Sequence, residues 1–444
     1  MGIELQYGKS GYSLTLPEGC SASILRKPQM PLLEDPQASL SHSFLNCNGT
    51  APLVECAKGC NSACIAICDI TRPVPNSLFL RPLLDQLESG GIPRERICIV
   101  VATGLHRANE GEELAELIGD EWVLGNIAIY NHDARCDSDH IWLGKTATRE
   151  TVVSLDRRFV EADLRIATGL VEPHFMAGYS GGRKVVAPGL AHADTITTFH
   201  SARFMADPAT RNCNLLQNPL HEEQLQIIQM LDAWAKNDGG SGSRFKNTLG
   251  LNTVLDEHRR VAQITFGEII SSHQEAVGFA TSYCELPVEE PFDIVVSTAA
   301  GYPLDKTYYQ TVKGMVGAME ILKPGGDLII ASECSEGMGS PEYVEAQRRL
   351  VARGPEAFLE EILQKPHADI DEWQTQMQLK PQSIGRIHLY AGGLSSEDQA
   401  LTGVHRTNDL NRTLADLWQA NRRARIAVIP EGPYVVPRLT LADT

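Results

Sequence analysis

Five short polar clusters stand in the first 200 residues, most of them after a run that reads as a buried strand. They are CDITRPVPN (Asp69, Thr71, Arg72), TGLHR (His106), NHDA (His132, Asp133), TGLVEPHFMAGYSGGRK (His174, Lys184) and DTITTFHS (His200). A histidine in a turn of small residues suits proton transfer, because its ordinary pKa lies near neutrality. His106 falls where a strand should end, so it reads either as a proton-transfer group or as a plain strand cap. His174 and His200 are 26 residues apart. That separation fails the HExxH and short ligand spacings of common metal sites, so a metal bound by either would need donors from elsewhere. In DITRP, Arg72 sits either in an Asx-type turn set by Pro73 or as a bidentate clamp for a carboxylate or phosphate. Lys184 closes a glycine-rich turn, which suggests a phosphate cradle, but Arg183 precedes it and Val185 follows it. The G-x-x-x-x-G-K-[ST] spacing is therefore absent, and nucleotide-dependent phosphoryl transfer is set aside.

Further along, DKTYYQTVKG puts Gln310 and Lys313 three apart, on one face if helical. Cys56, Cys60, Cys64 and Cys68 recur every four residues. On a helix they would share a face and invite a metal cluster, but no CxxC spacing supports one, and free cysteine commonly behaves as a small buried apolar residue.

These side chains need a scaffold, and the pattern supplies one. SLFLRPLLDQLES, NEGEELAELIG and GEIISSHQEAVGFATSYC read as helices; RICIVVATG, DLRIATG, FDIVVSTAAG and GDLIIAS read as strands ending at small residues. Alternation of this kind predicts an α/β architecture, in which ligands gather beyond the carboxyl ends of the strands. A chain of 444 residues exceeds the usual reach of one core. Two domains are expected, 1–275 and 276–444, with the active site in the cleft between them and the final strand-like IAVIPEGPY a candidate to return to the N-terminal domain. The polar segment KNDGGSGSRFKN, 236–247, reads as an exposed loop.

Composition narrows the partners. Hydrophobic residues make up 43% and charged ones 21%, ordinary for a globular protein, and the net charge is −17. So acidic a chain argues against nucleic acid and anionic membrane as partners. No signal-like or membrane-spanning apolar run is evident, and eleven cysteines suit reduced thiols, so a cytoplasmic protein is expected.

Taken in order, DITRP, TGLHR, EPHFMAGYSGGRKVVAPGLA, TTFHS, YQTVKG and the tryptophan of DEWQ (Trp373) resemble the nickel-pincer lactate racemase family. The resemblance implies that Lys184 is joined through a thioamide to a nicotinate-derived mononucleotide, pyridinium-3-thioamide-5-thiocarboxylic acid mononucleotide. Two sulfurs and a ring carbon of that group hold nickel, and His200 completes the coordination. It implies His106 and His174 as the proton-transfer pair, and Arg72, Gln310, Lys313 and Trp373 as residues that handle or line the substrate, Arg72 and Lys313 also polarising its oxygen. Asp69 and Thr71 orient Arg72 or the cofactor. The glycines beside Lys184 would let the backbone approach the cofactor closely.

The activity so implied is racemisation or epimerisation of a small 2-hydroxy acid, lactate-like or malate, by reversible hydride transfer through a keto acid. Cofactor-synthesis proteins would be transient partners. Malate would need another cation, and Arg107 and Arg183 adjoin the motifs. The alternative is a non-catalytic carrier of the cofactor, which would need chiefly Lys184 and His200.

Overall fold

The computed structural model describes residues 2–237 and 247–440. Apart from its ends, the 236–247 stretch read as a loop lies outside the described residues. The chain divides into two compact units. One comprises 29–199 and 214–282; the other comprises 1–28, 200–213 and 283–444.

In the 29–282 unit, ACIAIC folds as the strand Ala63–Cys68, and residues 63–67 are fully buried. An unbroken small-apolar run of this kind suits a central strand covered on both faces. It lies within a six-stranded sheet whose order is Val261–Glu268, Leu249–Leu255, Leu164–Leu170, Ala63–Cys68, Ile97–Ala102 and Ala128–Asn131. All neighbours are parallel except the first pair. The chain runs outward from Ala63–Cys68 through the next two strands, then returns on its other side with Leu164–Leu170. That reversal is the topological switch point where open α/β sheets bind ligands.

The helix Asn76–Ser89 shows why the sheet is covered. Phe79, Leu80, Leu83, Leu84 and Leu87 are all fully buried and pack in one core with Ile65, Ile67, Ile99, Val101 and Ile166. The spacing is that of one helical face. Phe79→Ala should therefore cost about 3–5 kcal/mol, read as a lower urea midpoint. An unchanged midpoint would mean that this face does not hold the sheet.

The other unit holds a six-stranded, wholly parallel sheet: His405–Thr407, Arg386–Tyr390, Leu322–Ala331, Phe292–Thr298, Ile426–Ile429 and Ser23–Ile24. Here too the chain reverses, between Phe292–Thr298 and Ile426–Ile429. The helix Tyr308–Ala318 follows the first of these and buries Tyr308, Met315 and Ala318 in the core. At Gly314 a Cβ would stand 2.2 Å from the Thr298 carbonyl oxygen, so only glycine allows this close approach.

This division differs from a contiguous split at 275/276. Ile3, Leu5 and Leu14 pack with Ile294, Val296 and Ile329, and Ser23–Ile24 adds an edge strand to the second sheet, so the N-terminus joins the C-terminal unit. Residues 200–213 join it as well: Gln376 donates to the Ala202 carbonyl and Lys380 to that of Thr210. The final segment does not return to the first unit. Ile426–Ile429 pairs with Phe292–Thr298, and Val436–Leu439 with Glu285–Val288. The four-cysteine row is not a helical face, since Cys56 ends in the short helix Leu53–Ala57, Cys60 in a loop, and Cys64 and Cys68 on a strand. None of the eleven cysteines forms a disulfide among the described residues.

Candidate active site

Three adjacent strands deliver the polar clusters of the first unit. Asp69, Thr71 and Arg72 follow Ala63–Cys68, His106 follows Ile97–Ala102, and Glu172 and His174 follow Leu164–Leu170. The DITRP turn is closed by the backbone, with Arg72 N–H donating to the Asp69 carbonyl at 3.1 Å. The Asp69 carboxylate is thereby left for two other donors. Thr71 Oγ1 donates to Oδ1 at 2.6 Å, and His106 Nδ1 lies 2.7 Å from Oδ2. Asp69 is only 5% exposed. Burial raises its pKa, but the His106 and Thr71 hydrogen bonds and the Arg72 charge outweigh it and hold the carboxyl below its usual value. An ionised carboxylate can only accept, so Nδ1 of His106 carries the proton and the ring's lone pair stands on Nε2.

His174 is arranged the other way. Its Nδ1 accepts the backbone N–H groups of Met176, at 3.3 Å, and Ala177, at 3.1 Å. The proton of the neutral ring is therefore on Nε2. One exposed histidine presents a lone pair; one buried histidine presents an N–H.

Arg72, half-buried, pairs through Nη1 with Glu172 Oε1. Glu172 had not been singled out, although it stands two residues before His174 in the same motif. Asn109 was missed too, and it links the loops: its Oδ1 takes the Ile70 N–H at 3.2 Å, while its own N–H goes to Asn131 Oδ1 at 2.8 Å.

Lys184 opens a short helix, Arg183–Val186, after the glycine turn. Its side chain stays partly accessible, yet burial lowers its pKa to about 7. The Arg72 and Arg183 charges act in the same sense, and Cys68 and Asp69 oppose them. The fold itself requires the adjoining glycines. Gly181 and Gly182 have φ of 76° and 47°, and Cβ atoms there would meet Val171 at 2.6 Å and His273 at 2.9 Å.

The second unit carries the remaining candidates. Gln310 and Lys313 lie on the helix Tyr308–Ala318, both half-buried, as their spacing predicts. Gln310 Oε1 is buried without a hydrogen-bond partner among the described residues. His200, 7% exposed, lies against Trp373 with ring centroids 4.9 Å apart, and Trp373 Nε1 donates to the Tyr309 hydroxyl at 3.2 Å. The structure thus groups Asp69, Thr71, Arg72, His106, His174 and Lys184 in one unit and His200, Gln310, Lys313 and Trp373 in the other. His132 belongs to neither set; it is buried against Asp156 and the Ala191 carbonyl. Arg107 is forked onto Glu113 at 2.6 and 2.7 Å. Among the described residues no three His, Cys, Asp or Glu side chains are placed to hold a metal ion.

The chain thus holds two α/β units with parallel-rich sheets, the first carrying a carboxylate-backed histidine and a second histidine beyond the ends of the two strands that flank Ala63–Cys68, where open α/β sheets bind small ligands. Residues 7–212 match the family described as lactate racemase N-terminal domain, and residues 288–436 the lactate racemase C-terminal domain. The lactate racemase of Lactiplantibacillus plantarum is 30% identical over 90% of each chain. That of Thermoanaerobacterium thermosaccharolyticum is 28% identical over 98% of this chain and 99% of its own. This chain belongs to the lactate racemase family. The apoprotein structure of the latter enzyme superposes with a TM-score of 0.88 over 99% of this chain and 100% of that one. A Thermotoga maritima protein of 16% identity shares the fold, with a TM-score of 0.69 over 93% and 99% of the two chains. No helix among the described residues is long and apolar enough to cross a membrane.

Proposed function

We propose that this protein is a racemase of a small, lactate-like 2-hydroxy acid, working with a nickel-pincer mononucleotide tethered to Lys184. The observation that carries the reading is the pair of differently poised histidines, His106 with its Nε2 lone pair and His174 with its Nε2–H. Inversion at C2 needs a proton acceptor for the hydroxyl of one enantiomer and a donor for that of the other, and this pair supplies one of each.

The residues fit the implied group. The Arg72 and Arg183 charges both bear on the Lys184 amine, which suits an anionic mononucleotide. No cluster of protein ligands is present among the described residues, so a metal here would take most donors from the organic group, with the nearly buried His200 as the protein's imidazole. When bound, the group supplies a hydride acceptor, so the C2 hydrogen need not leave as a proton beside a carboxylate.

The chain's own groups do the rest. His106 Nε2 accepts the hydroxyl proton while Asp69 fixes the tautomer and steadies the imidazolium. His174 donates toward the oxygen, and in the reverse direction the roles exchange with the protonation states. Arg72 and Lys313 hold the carboxylate and polarise the oxygen, and Gln310 Oε1 is an acceptor still seeking a donor. A single carboxylate is favoured over malate, because Arg107 is occupied by Glu113 and Arg183 by two imidazoles. A carrier would not need an Asp-backed histidine.

The test is protein made alongside the cofactor-synthesis proteins and nickel, supplied separately with L- and D-lactate and with both malates, and read by chiral chromatography. Lactate should converge on an equal mixture from either side. Arg72→Ala should raise KM for it by roughly tenfold or more, as loss of a charge-assisted contact does. Malate turning over faster than lactate would overturn the substrate assignment. No turnover of any hydroxy acid by loaded protein would favour the carrier.

A further inference from the structure

Asn109 stands where three strand ends meet. It is 2% exposed and lies in the loop that follows Ile97–Ala102, three residues after His106. Its Oδ1 accepts the N–H of Ile70, in the turn after Ala63–Cys68, at 3.2 Å. Its backbone N–H donates to Asn131 Oδ1 at 2.8 Å and its carbonyl accepts from Asn131 Nδ2 at 2.9 Å, so the last residue of Ala128–Asn131 grips the same loop from the other side. Its Nδ2 donates to Glu113 Oε2, on the helix Gly111–Ile118, at 2.9 Å. A carboxylate only accepts and a backbone N–H only donates, so Glu113 and Ile70 independently demand the same orientation of this amide. The flipped amide would satisfy neither.

The N–H that Asn109 takes is the one immediately after Asp69, whose carboxylate lies 2.7 Å from His106 Nδ1. Two links therefore join the two loops, Asp69 to His106 and Ile70 to Asn109. One hydrogen bond fixes a distance and leaves a pivot; a second, three residues along, removes the pivot. His106 needs this, because its side chain is 52% exposed and packing alone does not hold the ring. We propose that Asn109 is a positioning residue that latches the DITRP turn to the His106 loop, so that Asp69 keeps the proton on Nδ1 and the lone pair on Nε2. The inference deepens the proposed function and rests on it for its purpose, the role of His106 as base.

Each loop is already closed without this latch. The DITRP turn has its own bonds, from Arg72 N–H to the Asp69 carbonyl and from Thr71 Oγ1 to the Asp69 carboxylate. The other loop has His106 N–H on the Thr103 carbonyl at 3.0 Å, and Thr103 Oγ1 donates to the His132 carbonyl at 2.7 Å. Removing the Asn109 amide leaves all of these in place, together with the two Asn131 bonds to its backbone. What it removes is the setting of one loop against the other.

The experiment reads the full apoprotein first. Histidine is isotopically labelled at both ring nitrogens, and the His106 tautomer is read by NMR from their couplings to the ring C–H protons in mildly alkaline buffer, where imidazole is neutral. The spectrum of His106→Gln identifies its signals. Wild-type His106 should carry its proton on Nδ1. Asn109→Ala should fold and show His106 averaging between tautomers; loaded with cofactor and nickel, it should lose roughly tenfold to a hundredfold in kcat with KM for lactate little changed. Asn109→Asp sets a second carboxylate against Glu113 and should act in the same way. Adding Glu113→Gln to it returns a donor to that contact and should restore both the tautomer and kcat. If Asn109→Ala does not fold, Asn109→Asp with and without Glu113→Gln carries the test. A wild-type ring protonated on Nε2, a tautomer and kcat that neither variant moves, or a loss in Asn109→Asp that Glu113→Gln leaves unrepaired would overturn the proposal. A tautomer lost with turnover unchanged would leave the latch standing and remove His106 from the base role.

Discussion

Lys184→Ala is expected to abolish both the mononucleotide adduct and racemisation, while leaving the fold intact. Burial and the neighbouring guanidinium charges already disfavour the ammonium form, so removing this side chain breaks no stabilising ion pair and should not lower the thermal midpoint. Backbone bonds hold the segment instead: Lys184 N–H to the Gly181 carbonyl at 3.0 Å and Gly182 N–H to Asn252 Oδ1 at 2.9 Å. The check is intact mass and mapping of the Lys184 peptide, with wild type and variant made in the same cofactor-synthesising host. A mononucleotide-sized adduct surviving on the alanine variant would move the tether elsewhere. An unmodified wild-type lysine beside a family member that does load would withdraw the cofactor from this chain altogether.

The second large effect concerns the base. His106→Ala should lower kcat by about 10² to 10⁴, the range of a positioned acid–base group, with the adduct still attached. Asp69→Asn is the more discriminating variant. An amide can donate to Nδ1 and so permits the opposite tautomer, placing the proton on Nε2 where the lone pair is needed; a loss of the same order is expected although the ring stays in position. Both variants are assayed from each enantiomer. Because the equilibrium constant of a racemisation is one, kcat/KM must fall equally in the two directions, which provides an internal control. Near-normal turnover of Asp69→Asn would mean that Asp69 only holds the loop, through Thr71 and Arg72. Near-normal turnover of His106→Ala would remove it from the base role.

Much of this site was legible because its parts are local. A buried strand reads as an apolar run, and the residues just past its end are fixed by covalent continuity, so His106, His174 and the Asp69–Arg72 turn could be placed at strand ends from the sequence alone. Gln310 and Lys313 share a helical face for the same reason. The spacing around Lys184 was enough to exclude a P-loop.

What only the tertiary structure decided is which of these ends are neighbours. A parallel strand is paired through a long crossover, so its partner is chosen by the packing of the whole sheet and leaves no mark in the strand's own residues. Seating Ala63–Cys68 between Leu164–Leu170 and Ile97–Ala102 is what joins Asp69 to His106, 37 residues away, and Arg72 to Glu172. The same holds for Arg183, whose imidazole partners His221 and His273 come from two later helices, and for His200, carried into the C-terminal unit by bonds from Gln376 and Lys380 to its neighbouring backbone. The sequence determined the chemical groups and their places on local elements; burial of two separate sheets, which no short segment encodes, determined their partners.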